Sequence, residues 1–357
     1  MHSKGFSMAG VLNRQPLLVT TRKAVSSEIA ITKAVVFESF NLTASEKVSF
    51  PACETADCAP VRLEANIGSI NEAQGAIDNG AEGIGLLRTE PFYMSFSHTP
   101  SVEEEYDFYA TMMSIIKKLP ITIRLLDLGA DKYPSYVSMF DEENPQLGIR
   151  GIRYLLRSPD LFQKHLRSLI RASAISPIKI CIPFVTTLRD VHGTLENIDE
   201  LCRREKVDRA GIRVGIMVEI PSVALSIDSF LPAIDFLIIG ADELVQYVFA
   251  AGKKDDSVDE YRQNIHPVIL RMLKNILDKA WRHGKEATLC GEIAGQPELA
   301  PLLVGLGVRS FSMQPSSITT ARNAIGKYSC KEMKKIAGNA LQSRSMEQVR
   351  KLLYPIG

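Results

Sequence analysis

No run of apolar residues in this 357-residue chain approaches the roughly 18 needed to span a bilayer, so a spanning helix is not expected. Neither sign of charge dominates. Lys and Arg total 42 against 41 Asp and Glu, a formal net charge of +1. With no basic stripe, that balance argues against a nucleic-acid surface. Disulfide frameworks and zinc sites are also poorly served: the six cysteines are dispersed at 53, 58, 181, 202, 290 and 330. Cys53 and Cys58 form a C-x4-C pair, but no second pair has zinc-ligand spacing, and reduced cytosolic thiols are the better reading. The opening MHSKGFSMAGVLNRQ lacks a secretory apolar core, which gives the same cytoplasmic expectation. No G-x-G-x-x-G loop follows a strand, no short-period repeat recurs, and no segment is of low complexity. What remains is an ordinary globular composition, 45% apolar and 23% charged.

One stretch organises what is present. Arg213 to Asp242 reads RVGIMVEIPSVALSIDSFLPAIDFLIIGAD. Two short β-branched runs, RVGIMVE and DFLIIG, are joined by the helix-like PSVALSIDSFL, and a carboxylate follows each run. In parallel α/β architectures the C-terminal ends of strands are where ligands bind. Two acids there point to a hard divalent cation.

The same rhythm runs through the chain from Val61. Expected strands are VRLEAN, IGLLRTE, ITIRLLDLG, IKICIPFV, RVGIMVE, DFLIIG, EATLCGE and RSFSMQP. Helical patterns separate them, including SINEAQGAIDNG with its Ser cap and Gly stop, VEEEYDFYATMMSIIKKL, LRDVHGTLENIDELCRRE and HPVILRMLKNILDKAWRHG. Eight strands alternating with helices imply a (β/α)8, TIM-type barrel. A doubly wound open sheet is the runner-up. The barrel is expected over residues 61–357, closed by two basic helices. Residues 1–60 form a weakly patterned appendage, in which SSEIAITKAVVFESF reads as a strand and NLTASEKVSFPACETADCAP as linker.

Polar residues gather at the strand ends. Arg88 closes the second strand, Arg124 and Asp127 the third, Glu219 the fifth, Asp242 and Glu243 the sixth, and Cys290 and Glu292 the seventh. Arg150 and Arg153 fall in and after the long third loop. Arginine forks suit phosphate and carboxylate oxygens, and acids there hold Mg2+ against substrate oxygens. The ligand implied is small, phosphorylated and carboxylated. Singly, each residue has a plainer role: an arginine as ion-pair partner, Glu219 as helix cap, Cys290 as core filler, His266 as a structural residue before Pro267. Their coincidence on one rim favours a site.

The segments GAEGIGLLRTEPFYM, TIRLLDLGADKYPSYV, ENPQLGIRGIRYLL, GIMVEIPSVAL, IIGADELVQY, LCGEIAG and PLLVGLGVRSFSMQPSSI resemble, in order, the motifs of the phosphoenolpyruvate-utilising enzymes. Within that family the similarity is greatest to Enzyme I of the bacterial sugar phosphotransferase system. It extends from about Val61 to Gly326. The resemblance implies a homodimeric (β/α)8 barrel that binds phosphoenolpyruvate and Mg2+. It implies that Arg88 and Arg124 bind phosphate, with Arg150 a further substrate arginine, and that Glu219 is the first metal ligand. Cys290 matches the cysteine that exchanges a proton with C3 of pyruvate enolate.

Three positions depart from the family pattern. Where the family has G-T-N-D-L, this chain has Gly240-Ala241-Asp242-Glu243-Leu244. The second metal ligand is then Glu243, and Asp242 stands where a neutral amide meets the phosphate. Lys253 stands where the family has an arginine. None of His2, His98, His165, His192, His266 or His283 lies in the S-H-x-A setting of the family's phosphorylated histidine. The expectation is therefore a phosphoenolpyruvate–protein phosphotransferase-like barrel whose turnover needs a histidine-bearing phosphocarrier in trans. The alternative is a non-catalytic phosphoenolpyruvate-binding regulator.

Overall fold

A computed structural model describes residues 50, 52–129, 133–137, 142–253 and 255–353. The strand expected within SSEIAITKAVVFESF and His2 lie outside the described residues. Eight parallel strands close into a barrel in sequence order: β1 (Arg62–Ile67), β2 (Ile84–Leu87), β3 (Ile121–Arg124), β4 (Ile178–Ile182), β5 (Ile212–Val218), β6 (Phe236–Gly240), β7 (Glu286–Cys290) and β8 (Ser310–Met313). β8 pairs back onto β1 through Arg62↔Ser310 to Ala65↔Met313. Parallel neighbours need a crossover connection, and helices supply it, as in a (β/α)8 barrel. Among the described residues no helix is long and apolar enough to cross a membrane.

Helix starts follow local chemistry. Ser69, Ser101 and Ser329 each open a helix with a capping box, closed by Glu72, Glu104 and Glu332. The helix Leu188–Glu205 ends where Lys206 turns left-handed, at φ 57°. His266 accepts the Val268 N–H through Nδ1 at 3.2 Å and caps the helix Pro267–Arg282.

One expected helix is broken, and two further stretches are irregular. PSVALSIDSFL is two short helices, Pro221–Leu225 and Ile227–Phe230, broken at Ser226. The Ser226 hydroxyl donates to the Ser222 carbonyl at 2.6 Å, a local bond that competes with the helical ladder. The helix in AGQPELAPLLVGLG starts only at Ala300, because Pro297 and Pro301 carry no amide proton for a longer ladder. The charged loop KKDDSVDEY contains 3₁₀ turns at Asp256–Tyr261. Before β1, residues 52–60 of the expected linker are tied down. Glu54 bridges Pro60, and buried Cys53 donates its N–H to Glu82 Oε1 at 3.3 Å.

Most of the core lies between the strands and their surrounding helices. A smaller apolar cluster fills the barrel itself: Leu86, Cys181, Met217, Phe236, Ile238 and Cys290. Strand side chains alternate in direction. Glu286, Thr288 and Cys290 therefore share the inward face of β7, and Arg62, Glu64 and Asn66 that of β1. This alternation carries polar residues to both barrel ends while the middle stays apolar.

Candidate functional site

The C-terminal ends of β1, β2, β3, β6 and β7 open into a cavity of about 560 Å³. Six expected residues line it: Arg88, Arg124, Asp242, Glu243, Lys253 and Cys290. Glu292 also reaches its wall, as does Asn66, which the sequence reading did not single out. Glu219 and Arg150 are not among the lining residues; both are buried. Among the described residues no histidine lines the cavity.

The three arginines are held differently. Arg124 is buried, donating to Glu90 Oε2 at 2.9 Å with Asp127 Oδ2 at 3.6 Å. Burial opposes its charge, but Glu90, Asp127 and Glu219 outweigh that and hold it firmly protonated. Arg150 donates to Asp127 Oδ2 at 2.8 Å and Gln146 Oε1 at 3.0 Å. Its guanidinium lies 4.8 Å from the Phe184 ring centre. Arg150 thus braces Asp127, which stands beside Arg124. Arg88 has no side-chain hydrogen bond or ion pair among the described residues, and its Nε is buried without a partner. Its fork passes over Gly68, where a Cβ would stand 3.4 Å from Nη2 and 2.8 Å from Pro91 Cγ. A half-buried cation without a protein counter-charge is what an anionic ligand would satisfy.

The acids form a second group. Glu219 Oε1 accepts the Phe184 N–H at 2.6 Å, while Oε2 is buried with no hydrogen-bond partner. So Glu219 does not cap the helix that follows it. Burial first, then Asp127 and Glu243, push its carboxyl up to about 8. Burial also works to raise Glu243, yet Lys253 and Arg124 outweigh it and hold Glu243 below the ordinary range. The two carboxylates flank Gly240: a Cβ there would be 3.1 Å from Glu219 Cβ and 3.3 Å from Glu243 Oε2. A cation held by such a pair would satisfy the orphaned Oε2 and relieve the repulsion. Among the described residues no group of three or more His, Cys, Asp or Glu is gathered as a metal site. Mg2+ usually takes one or two carboxylates and completes its shell with water and phosphate oxygens. Glu219 and Glu243 fit that demand.

Asp242 is engaged in a way sequence alone does not show. Both its carboxylate oxygens accept the Glu292 N–H at 3.1 Å. This bond ties the start of the helix after β6 to the turn after β7. Gly291, at φ 118°, leaves the room, since a Cβ there would lie 2.9 Å from Asp242 Oδ1. Lys253 Nζ sits 3.2 Å from Glu243 Oε1 and 3.5 Å from Asp242 Oδ2, bridging the two acids. Burial pushes Asp242 up to about 6, with Lys253 opposing.

Cys290 is 6% exposed and faces the cavity. Burial, then Glu243 and Asp242, push its thiol up to about 12. It is therefore a protonated thiol at neutral pH, suited to giving a proton rather than to attacking as a nucleophile. Asn66 Nδ2 donates to its sulfur at 3.1 Å.

The family described as PEP-utilising enzyme, PEP-binding domain, matches residues 43–330. The chain belongs to the PEP-utilising enzymes. Similar relatives are the phosphoenolpyruvate-protein phosphotransferases of Geobacillus stearothermophilus, 39% identical over 85% of this chain and 53% of that protein, and of Staphylococcus carnosus, 40% identical over 83% and 52%. That of Mycoplasma capricolum is 39% identical over 82% and 51%. The chain thus spans about half the length of the curated relatives it matches. Within this barrel, the residues predicted from strand ends in β2, β3, β6 and β7 converge, whereas Glu219 and Arg150 are not part of the cavity lining. Asn66 was missed because it reads as an ordinary residue of the strand VRLEAN. Its position one register step beyond Glu64 on an inward face was the available signal.

Proposed function

We propose that this barrel binds phosphoenolpyruvate at the C-terminal ends of its strands and supports phosphoryl transfer to a protein histidine, releasing pyruvate. The observation that carries the reading is Arg88: a guanidinium without a counter-charge among the described residues, lining the same cavity as a protonated thiol. Arg88 and Arg124 receive the phosphate, with Arg124 oriented by Glu90 and Asp127. Arg150 acts through Asp127. Glu219 and Glu243 hold Mg2+, which when bound supplies positive charge against the phosphate oxygens. Departure of the phosphoryl group leaves an enolate, and Cys290 gives its proton to C3. Lys253 offers a second ammonium near the acids, and Asp242 fixes the turn that carries Cys290 and Glu292.

The acceptor histidine comes in trans from a histidine-bearing carrier, a reading supported by the described histidines all lying away from the cavity wall. The same reading has the protein act as a cytoplasmic homodimer in phosphotransferase-linked sugar uptake. A second reading, a phosphoenolpyruvate-binding regulator without turnover, draws on the Asp242–Lys253–Glu243 cluster, in which the lysine is already engaged by carboxylates.

The test is calorimetric titration of phosphoenolpyruvate with and without Mg2+, followed by addition of an isolated histidine domain from a relative while pyruvate is measured. Mg2+-dependent binding in the micromolar to millimolar range with pyruvate release supports transfer. Binding without release supports the regulator. No binding with or without the cation overturns both.

A further inference from the structure

Asn66 lines the cavity, and nothing above assigns it a role. It sits on the inward face of β1, where the pairing with β2 slips: Ala65 is opposite Ile84, but Asn66 is opposite Leu86. Irregularities of this kind near sites redirect side chains. The side chain spans the mouth of the barrel to β7, reaching Cys290 Sγ at 3.1 Å. Its Oδ1 is buried with no hydrogen-bond partner. A polar group half-satisfied in this way costs stability unless its geometry serves something else.

The geometry points to Asn66 as the positioning residue for the Cys290 proton. This rests on the phosphoenolpyruvate reading. Because Nδ2–H donates to a sulfur lone pair, the S–H is not engaged with Asn66 and is free to turn into the cavity. When the proton moves, the enolate electron pair forms the new C3–H bond and the S–H pair stays on sulfur as a thiolate. The amide N–H then faces a charged acceptor, and a hydrogen bond to a charged group is stronger than one to a neutral group. Asn66 thus stabilises the thiolate at the moment it forms, opposing the burial that disfavours it. In the reverse direction the same bond helps the thiolate take a proton from pyruvate.

Two variants separate this from packing. Asn66→Leu keeps the bulk and removes the donor. Asn66→Asp keeps the shape and replaces the donor with an acceptor that bears negative charge. Two rates are followed: deuterium exchange into the pyruvate methyl group in D2O with Mg2+, by proton NMR, and iodoacetamide labelling of Cys290. Labelling is read by peptide mass, because Cys58 and Cys330 are also accessible. Expected is a fall of about tenfold or more in both rates for Asn66→Leu and a larger fall for Asn66→Asp. Phosphoenolpyruvate affinity by calorimetry should stay within about twofold. A packing role would instead leave the isosteric Asn66→Asp near wild type, and that result overturns the proposal, as would equal rates in all three proteins. If the wild type itself shows no exchange, the phosphoenolpyruvate reading fails and takes the proton-transfer role with it. The labelling series then decides the Asn66–Cys290 pairing independently, with wild type fastest if the pairing holds and all rates equal if it does not.

Discussion

The two ends of this barrel are made from the same strands, and often from the same strand faces, yet they treat charge in opposite ways. At the N-terminal end Glu286 collects Lys179 at 2.8 Å, Arg213 at 3.2 Å and Arg62. Beside it, Glu64 accepts from Ser310, and Ser310 accepts from Thr288. Burial works to raise Glu286, but Lys179, Arg62 and Arg213 outweigh it and hold the carboxylate ionised. Four residues further along the same strands β7 and β1, at the C-terminal end, groups are left open. Among the described residues Arg88 has no counter-ion, Glu219 Oε2 has no partner, and Asn66 Oδ1 has none. A closed network serves stability; an open one is completed by a ligand. The contrast predicts that substitutions at one end move the unfolding curve, while those at the other move binding.

The largest effect is expected at the closed end. Glu286→Leu leaves three cations crowded together, one of them, Lys179, with only 13% of its side chain exposed. Breaking a buried pair costs about 3–5 kcal/mol; allowing for the partial exposure of Arg62 and Arg213, a loss of about 3 kcal/mol is expected. Urea unfolding should show a lower midpoint at unchanged slope, with phosphoenolpyruvate affinity retained at concentrations well below that midpoint. Loss of binding with full stability would break the comparison.

At the open end, Arg88→Met removes a cation that no described residue pairs with. Charge-assisted hydrogen bonds are worth about 1.5–3 kcal/mol, so phosphoenolpyruvate affinity should fall by roughly 10- to 150-fold. The melting temperature without ligand should not fall. A clear fall in melting temperature would mean that Arg88 supports the fold rather than the ligand.

Why the ends differ was only partly legible in the chain. Alternation of β-branched strands with capped helices revealed the barrel, and the strand-end positions of Arg88, Arg124, Asp242, Glu243 and Cys290 located their convergence. These are periodic signals, and period survives folding unchanged. The pairing of those residues is not periodic. That Asp242 serves the Glu292 N–H depends on a contact across 50 residues. That Asn66 meets Cys290 depends on barrel closure and a slip in β1 pairing. The break at Ser226 depends on a single hydroxyl choosing its own helix carbonyl. Arg150 and Glu219 carry the same residue types as the cavity lining, and only their positions in the folded barrel set them apart.

Glu219 extends the comparison to pH. Its folded carboxyl sits at about 8 against an ordinary 4.5. Between those values the native protein holds a proton that the unfolded chain has released. Stability therefore falls as pH rises through this window, by about 1.4 kcal/mol per pH unit for one proton. Glu219→Gln removes that dependence and can still accept the Phe184 N–H. Without Mg2+, the variant should gain on the wild type by about 2–3 kcal/mol between pH 5.5 and 7.5, read from urea midpoints across that range. Saturating Mg2+ should narrow the gap, because the cation favours the ionised wild type. A constant difference at every pH would place the carboxylate outside this balance.

The smallest effect has the most informative sign. At the closed end, deleting a carboxylate destabilises; at the open end, Asp242→Asn should improve ligand binding. A carboxylate near a phosphate is repulsive, but Asp242 is partly offset by Lys253 at 3.5 Å and by the Glu292 N–H. An asparagine keeps the acceptor for Glu292, gains a donor, and leaves Lys253 less tightly held by the acids. About a tenfold gain in phosphoenolpyruvate affinity is expected, or about 1.4 kcal/mol, measured by calorimetry at constant Mg2+. The gain should shrink with added salt, since the removed term is a charge repulsion at a half-open cavity. Unchanged affinity would mean that Lys253 and the Glu292 N–H already neutralise Asp242 fully. The open end would then owe its affinity to Arg88 and Arg124 alone, with the acid cluster acting as a brace much like the one around Glu286.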